Sequence, residues 1–134
     1  MTTAVTHSEF NVASVHSDLF DELVSRQFER VYAIVDTFVG DHQQTVAHTK
    51  SVFRMLDGDA RVDNRALYQV VGAVVRRLPA STTLPAGMAT DDALCLLFKE
   101  LCGYCYDDIA GLLGLDTQDV KIGISRARHA LLAQ

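Results

Sequence analysis

The cysteines carry the most reactive side chains of this chain, and two of them form a CxxC pair. Cys102-Gly103-Tyr104-Cys105 has the spacing of zinc knuckles and of redox pairs. The pair spans a predicted helix end and turn, and no second ligand pair follows at a fixed spacing. His42 and His48 are six residues apart, whereas two metal ligands on one helix face are three or four apart. We expect thiols without a metal, and a redox or metal role for the CxxC stays open.

Paired carboxylates are the second group that could do chemistry. Asp91-Asp92 and Asp107-Asp108 fall at the starts of predicted helices, where carboxylates cap the helix and favour the positive end of its dipole. This explains the pairs better than acid catalysis does. The chain also lacks a phosphate-binding loop and a nucleophile elbow. We expect neither an enzyme nor a cofactor.

Length, composition and charge limit the class of protein. The chain has 134 residues and is 49% hydrophobic, which suits one compact domain or two very small ones and excludes a wholly disordered protein. Its net charge of −5 disfavours sequence-independent binding to polyanions. No apolar run approaches the roughly 18 residues of a membrane span, and the first twenty residues lack the pattern of a secretory signal. We expect a soluble, cytoplasmic protein with reduced cysteines.

Apolar residues recur at helical spacing along most of the chain, and no segment alternates like a strand. The first helix begins near Asp18 and stops at Gly40, and the second ends in the turn Asp57-Gly58-Asp59. The third is capped by Asn64 or Asp63 and stopped by Pro79. Three more helices are predicted: one from a Thr90 cap to Gly103, then Tyr106 to Leu113 and Thr117 to Leu132. The fold class is therefore all-α.

The organisation expected is two small helical lobes joined by a linker. Residues 1–17 have no clear period and are predicted to form a flexible arm. Residues 18–78 form the first lobe and residues 91–134 the second. Residues 79–90 hold both prolines and several small polar residues, which is typical of a flexible linker.

Residues 106–120 have the pattern of a helix-turn-helix. Ala110 is small where two helices cross closely, Gly114 suits the positive φ of the turn, and Val120 packs the second helix onto the first. A tight helical hairpin asks for similar residues, so this pattern leaves DNA binding open.

A longer stretch resembles a known family. The run Leu94 to Leu131, with Tyr-Asp-Asp-Ile-Ala at 106–110, Val120-Lys121 and Ser125-Arg126-Ala127-Arg128, is similar to the promoter −35-binding domain of bacterial extracytoplasmic-function sigma factors. The resemblance implies that this helix-turn-helix reads promoter DNA. The residues it assigns to DNA are Thr117, Gln118, Lys121, Ser125, Arg126 and Arg128.

The first lobe resembles the same family more weakly. Phe20 to Tyr32, Val39-Gly40-Asp41, Ser51-Val52-Phe53 and Arg65-Ala66-Leu67-Tyr68 are similar to the domain that binds the polymerase clamp and melts the −10 element. The resemblance implies that the first lobe docks on core RNA polymerase. It assigns −10 DNA contacts to Arg65 and Tyr68, and partner contacts to Val46, Lys50, Phe53 and Arg54.

An alternative from another class stays open. Residues 106–134 hold three basic and four acidic side chains, a net charge of −1, whereas DNA-reading helices normally lie in a basic field. Lys121, Arg126 and Arg128 also suit the negative end of their own helix. The chain is then a sigma-factor mimic or adaptor that binds an anti-sigma factor or another protein without reading DNA. Phe53, Leu56 and the valines of the third helix could also form a homodimer or partner groove.

Overall fold

The chain folds into six α-helices in the computed structural model, which describes residues 7–57, 61–80 and 83–134, with side chains from Asp18 onward. No strand occurs in these ranges, so the protein is all-α as predicted. The helices are α1 (His7–Val39), α2 (His42–Asp57), α3 (Asn64–Arg76), α4 (Thr90–Glu100), α5 (Tyr106–Leu113) and α6 (Thr117–Leu132). None of the helices has the length and apolar character that a membrane span requires within the described part of the chain.

The helix boundaries follow the local sequence signals closely, with two differences. Of the two caps proposed for α3, Asp63 is the one used, and its carboxylate accepts the Ala66 N–H at 2.8 Å. The α1 helix begins at His7 rather than near Asp18, so residues 7–17 of the expected arm are helical and residues 1–6 lie outside the described residues. Thr90 is the first residue of α4 rather than its cap, a position held by Ala89, which has no side-chain oxygen to bond the helix.

The two expected lobes share one continuous core, and α3 is the helix of the first lobe that packs against the second. Its Leu67 and Val71 are fully buried in a single apolar cluster that runs from α1 to α6. On the side of the second lobe, the buried Gly72 admits the Leu113 side chain so closely that a Cβ there would lie 2.9 Å from Leu113 Cδ2. An ion pair between Arg76 and Asp91, with Nε and Oδ1 at 2.9 Å, also joins α3 to α4.

The segment between the lobes is anchored to the first lobe. The Thr83 hydroxyl donates to the Thr37 carbonyl of α1 at 2.6 Å. Gly40, at φ 75°, lets the methyl group of Thr83 approach, because a Cβ there would lie 2.6 Å from Thr83 Cγ2. Leu84 and Met88 also pack against the core. Outside residues 81 and 82, which are not described, the segment lies along the fold and is not a free tether.

Candidate functional site

The last two helices, α5 and α6, form a hairpin joined by a short turn at Gly114. The α5 helix ends at Gly114, whose φ of 67° and ψ of 37° are left-handed, and the following Leu115 N–H donates to the Ala110 carbonyl at 3.0 Å. Val120 and Ile124 of α6 are buried against the rest of the domain. This turn holds α6 against α5 and leaves the opposite face of α6 in solvent.

The outer face of α6 carries several of the residues assigned to DNA. Gln118, Lys121 and Ser125 are exposed. Lys121 Nζ lies 5.6 Å from the centre of the Tyr106 ring, a cation–π distance. Thr117 is half-buried, and its hydroxyl donates to Asp107 at 2.7 Å. Three of the six predicted side chains thus face solvent without a carboxylate partner among the described residues.

Arg126 is held by a carboxylate of α4. Its Nε donates to Asp92 Oδ2 at 2.9 Å, and its Nη2 donates to Asp92 Oδ1 at 3.0 Å. The Asp92 side chain is 8% exposed, whereas that of Arg126 is 63% exposed. The hydrogen bonds that Arg126 donates to Asp92, together with the charge of Asp92, raise the pKa of Arg126 further above its usual range. The guanidinium therefore lies at the surface and its counterion lies beneath it.

Arg128 has a similar partner on α4. Its Nη2 donates to Glu100 Oε1 at 2.8 Å, and both side chains are at least half exposed. An exposed pair of this kind contributes at most about 1 kcal/mol. Both arginines of α6 that are assigned to DNA therefore have carboxylate partners. The pair with Asp92 is the stronger in geometry, because it is made through two hydrogen bonds.

The carboxylates of the second lobe bond to other side chains instead of capping their helices. Asp92 and Asp91 pair with arginines of α6 and α3. Asp107 accepts from Thr117, and Asp108 accepts from the Cys105 thiol at 3.1 Å. The position of these residues in first helical turns is as predicted, but their partners come from tertiary packing.

Tyr68 is a core residue, contrary to the DNA-binding role expected for it. Its side chain is 1% exposed, and its hydroxyl donates to Gln27 Oε1 of α1 at 2.7 Å. Its ring meets Phe98 and Tyr104 edge to face, at centroid distances of 5.7 and 5.8 Å. Burial raises its pKa above the usual range of a phenol. In this conformation Tyr68 cannot stack on a base, because the second lobe covers it.

Arg65, the other residue assigned to −10 DNA, is exposed and lies beside α5. A Cβ at Gly111 would be 2.9 Å from its Nη2. Arg65 also lines a cleft between the lobes with Asn64, Tyr104 and Asp108. The structure therefore separates Arg65 and Tyr68 by environment: one is at the surface and the other is in the core.

Of the residues assigned to partner binding, Lys50, Phe53 and Arg54 of α2 line a groove of about 250 Å³ against α1, whereas Val46 lies one turn before Lys50 and outside this lining. Phe28 and Phe53 stack in its wall, with ring centroids 5.8 Å apart. Lys50 and Arg54 line the groove and are exposed, whereas Phe53 is 5% exposed and Val46 is half-buried. The groove presents an apolar floor beside two cations and the exposed carboxylate of Asp57.

The three cysteines lie in different environments. Cys95 is buried, and its burial is the main cause that raises its pKa to about 11. Burial likewise raises the pKa of Cys102 to about 11, and Cys105 is exposed. No group of three or more His, Cys, Asp or Glu side chains that could hold a metal occurs in the described residues. His42 accepts or donates a hydrogen bond with the Tyr32 hydroxyl at 2.7 Å.

Three residues that matter at this site were missed by sequence reasoning: Asp92 and Glu100 as partners of α6, and Gly123 as the residue that admits Asp92. A Cβ at Gly123 would lie 2.8 Å from Asp92 Oδ1. The available signal was a glycine inside a helix, which costs about 1 kcal/mol relative to alanine and so points to close packing.

No family model, curated protein or solved structure matches this chain.

Proposed function

We propose that this protein is a sigma-factor-like regulator of transcription initiation, similar to the extracytoplasmic-function class. Its α5–α6 hairpin faces promoter DNA, and its α1–α2 groove binds core RNA polymerase. The observation that carries the proposal is the left-handed turn at Gly114, which leaves Gln118, Lys121 and Ser125 of α6 exposed on one element. These are hydrogen-bonding side chains of the kind that contact bases and phosphates.

The test of this function combines polymerase recovery with promoter transcription. The full chain is used as bait in nuclease-treated lysate of the source bacterium, and recovered polymerase subunits are identified by mass spectrometry. On promoters selected with the reconstituted holoenzyme, transcription and DNA binding across a range of salt concentrations are then measured for Lys121→Ala. We expect its salt slope of DNA binding to be shallower by about 0.9, because one phosphate contact is lost.

Lys99→Ala is the matched control for Lys121→Ala. Lys99 Nζ lies 5.2 Å from the centre of the same Tyr106 ring, but Lys99 belongs to α4. Both substitutions remove one charge and one contact with that ring. Equal reductions of the salt slope of DNA binding in the two variants would contradict the proposed function. Recovery of no polymerase in the pull-down would also contradict it.

A second candidate function is favoured by the ion pairs of α6. Arg126 and Arg128 are both bound by carboxylates of α4, and the hairpin has a net negative charge. In this alternative the protein is a sigma-factor mimic that binds an anti-sigma factor through the α1–α2 groove. Recovery of an anti-sigma protein without polymerase, together with no DNA shift at low salt, favours it over promoter reading.

The groove itself can be tested by charge reversal. Lys50→Glu with Arg54→Glu reverses both exposed cations beside the groove floor, and we expect at least a tenfold loss of affinity for whichever partner is recovered, since like charges across an interface are costly. Gln43→Glu, at an exposed position of the same helix that does not line the groove, is the control. Unchanged partner binding in the double variant would exclude the groove.

A further inference from the structure

We propose that α4 restrains DNA binding by α6: Asp92 and Glu100 occupy the guanidinium groups of Arg126 and Arg128 that would otherwise contact phosphate. The inference rests on the proposed function, because it takes α6 as the helix that faces DNA. It assigns a new role to α4, that of an internal competitor with the DNA backbone.

The pair between Asp92 and Arg126 has bidentate geometry. Both oxygens of Asp92 accept from two different nitrogens of Arg126, at 2.9 and 3.0 Å. A phosphate group binds an arginine through the same two-pronged arrangement. While Asp92 holds the Nε–Nη2 edge, phosphate cannot use that edge of Arg126, and the carboxylate charge beside it weakens the attraction of phosphate to the rest of the guanidinium.

The two partners differ in exposure to solvent. The Asp92 side chain is buried at 8% exposure, and that of Arg126 is exposed at 63%. A buried arginine could not reach DNA after release, but this one already lies at the surface. Removing the carboxylate charge therefore frees a cation that solvent and phosphate can reach.

The α6 helix is shaped to admit the carboxylate of Asp92. Gly123 lies within one turn of Arg126, and a Cβ there would be 2.8 Å from Asp92 Oδ1 and 3.7 Å from Asp92 Cα. The helix interior thus lacks a side chain where Asp92 enters. Glu100 holds Arg128 by a second, exposed pair at 2.8 Å, so the same two helices pair both arginines.

The experiment measures binding to a fluorescent duplex without promoter sequence, by anisotropy, across a range of salt concentrations. Asp92→Asn combined with Glu100→Gln keeps both side-chain volumes and removes both carboxylate charges. Two added phosphate contacts make the salt slope steeper by about 1.8, so lowering salt from about 200 to about 50 mM strengthens the binding of this variant about twelvefold more than that of the wild type.

Two controls separate released arginines from a general change of charge. Asp116→Asn removes one charge at the N-cap position of α6, where the Asp116 side chain makes no capping hydrogen bond that could be lost. Asp116 also has no ion pair among the described residues. It is expected to leave the slope unchanged. Adding Arg126→Ala and Arg128→Ala to the double variant is expected to restore the wild-type slope.

An unchanged slope in the double variant, no detectable binding at low salt, or a steeper slope that persists without the two arginines would overturn the inference. If Asp92→Asn lowers the melting temperature below the assay temperature, Glu100→Gln alone carries the test, with a slope change of about 0.9 that Arg128→Ala reverses. Because the duplex has no promoter and no polymerase is added, the result is independent of whether polymerase is recovered in the pull-down.

Discussion

Two threonines one turn apart on α2 differ only in whether their hydroxyls are satisfied. Thr45 and Thr49 have no exposed surface. The Thr45 hydroxyl donates to Asp36 Oδ1 of α1 at 2.8 Å, whereas the Thr49 hydroxyl has no hydrogen-bond partner among the described residues. Burying an unpaired hydroxyl destabilises the folded state, whereas a hydrogen bond from a hydroxyl to a carboxylate stabilises it.

This contrast predicts opposite effects of the same substitution. Thr49→Val is expected to raise the free energy of unfolding by about 1 kcal/mol, because an apolar group of equal shape replaces an unpaired hydroxyl. Thr45→Val is expected to lower it by about 1.5–3 kcal/mol, because Asp36 loses its donor. Urea unfolding followed by circular dichroism measures both. Threonine and valine are both β-branched, so the substitutions change helix propensity little. Equal losses of free energy of unfolding in the two variants would contradict the prediction.

At the scale of elements, α4 and α6 approach each other through a position that has no side chain. The approach is set by Gly123 of α6 and the Asp92 carboxylate. That carboxylate cannot move freely, because it is buried and bound twice by Arg126. Gly111 of α5 differs, since a Cβ there would meet only the guanidinium of Arg65, the end of a long exposed side chain.

We expect Gly123→Ala to lower the free energy of unfolding by about 1–3 kcal/mol, because it forces apart α4 and α6. Gly111→Ala is the control, and it is expected to be neutral or to stabilise by up to about 1 kcal/mol, as alanine favours helix more than glycine does. Urea unfolding checks both variants. A stable Gly123→Ala variant would show that Asp92 can withdraw, and it would weaken the argument that α6 is shaped to admit it.

At the scale of the whole molecule, the shared core buries groups that ionise only at alkaline pH. Cys95 and Cys102 have pKa values raised to about 11 from an ordinary value of 9.0, mainly by burial. Burial raises the pKa of Tyr68 as well. These groups come from α3, α4 and the segment after it, so they report on the junction of the two lobes.

The raised pKa values predict a loss of stability in alkaline solution. A thiol whose pKa is higher in the folded than in the unfolded state contributes its full stabilisation below pH 9, and loses it as the pH rises toward 11. We expect the urea midpoint to fall over this window. Cys95→Ala with Cys102→Ala is less stable at neutral pH but is expected to show a flatter profile from pH 9 to 10.5. Equal profiles in the two proteins would show that other groups cause the loss.

Local sequence signals determined the helices and the hairpin. The bounds of α5 and α6 and the left-handed Gly114 follow from capping residues, periodicity and one glycine, all of which act within a few residues along the chain. The apolar stripe of α3 was equally readable, because Leu67, Val71 and Val75 repeat at helical spacing and are buried.

Tertiary structure alone decided which charges are paired and which aromatic residue is buried. Asp92 and Arg126 are 34 residues apart, and no local pattern relates them. Tyr68 lies beside the apolar stripe of α3. It is buried because α3 packs against α1 and α2 of its own lobe and also against α4 and α5 of the second lobe, so that two of its sides are covered. Periodicity reports how one helix divides between core and solvent, but it does not report that a second lobe covers another face of the same helix.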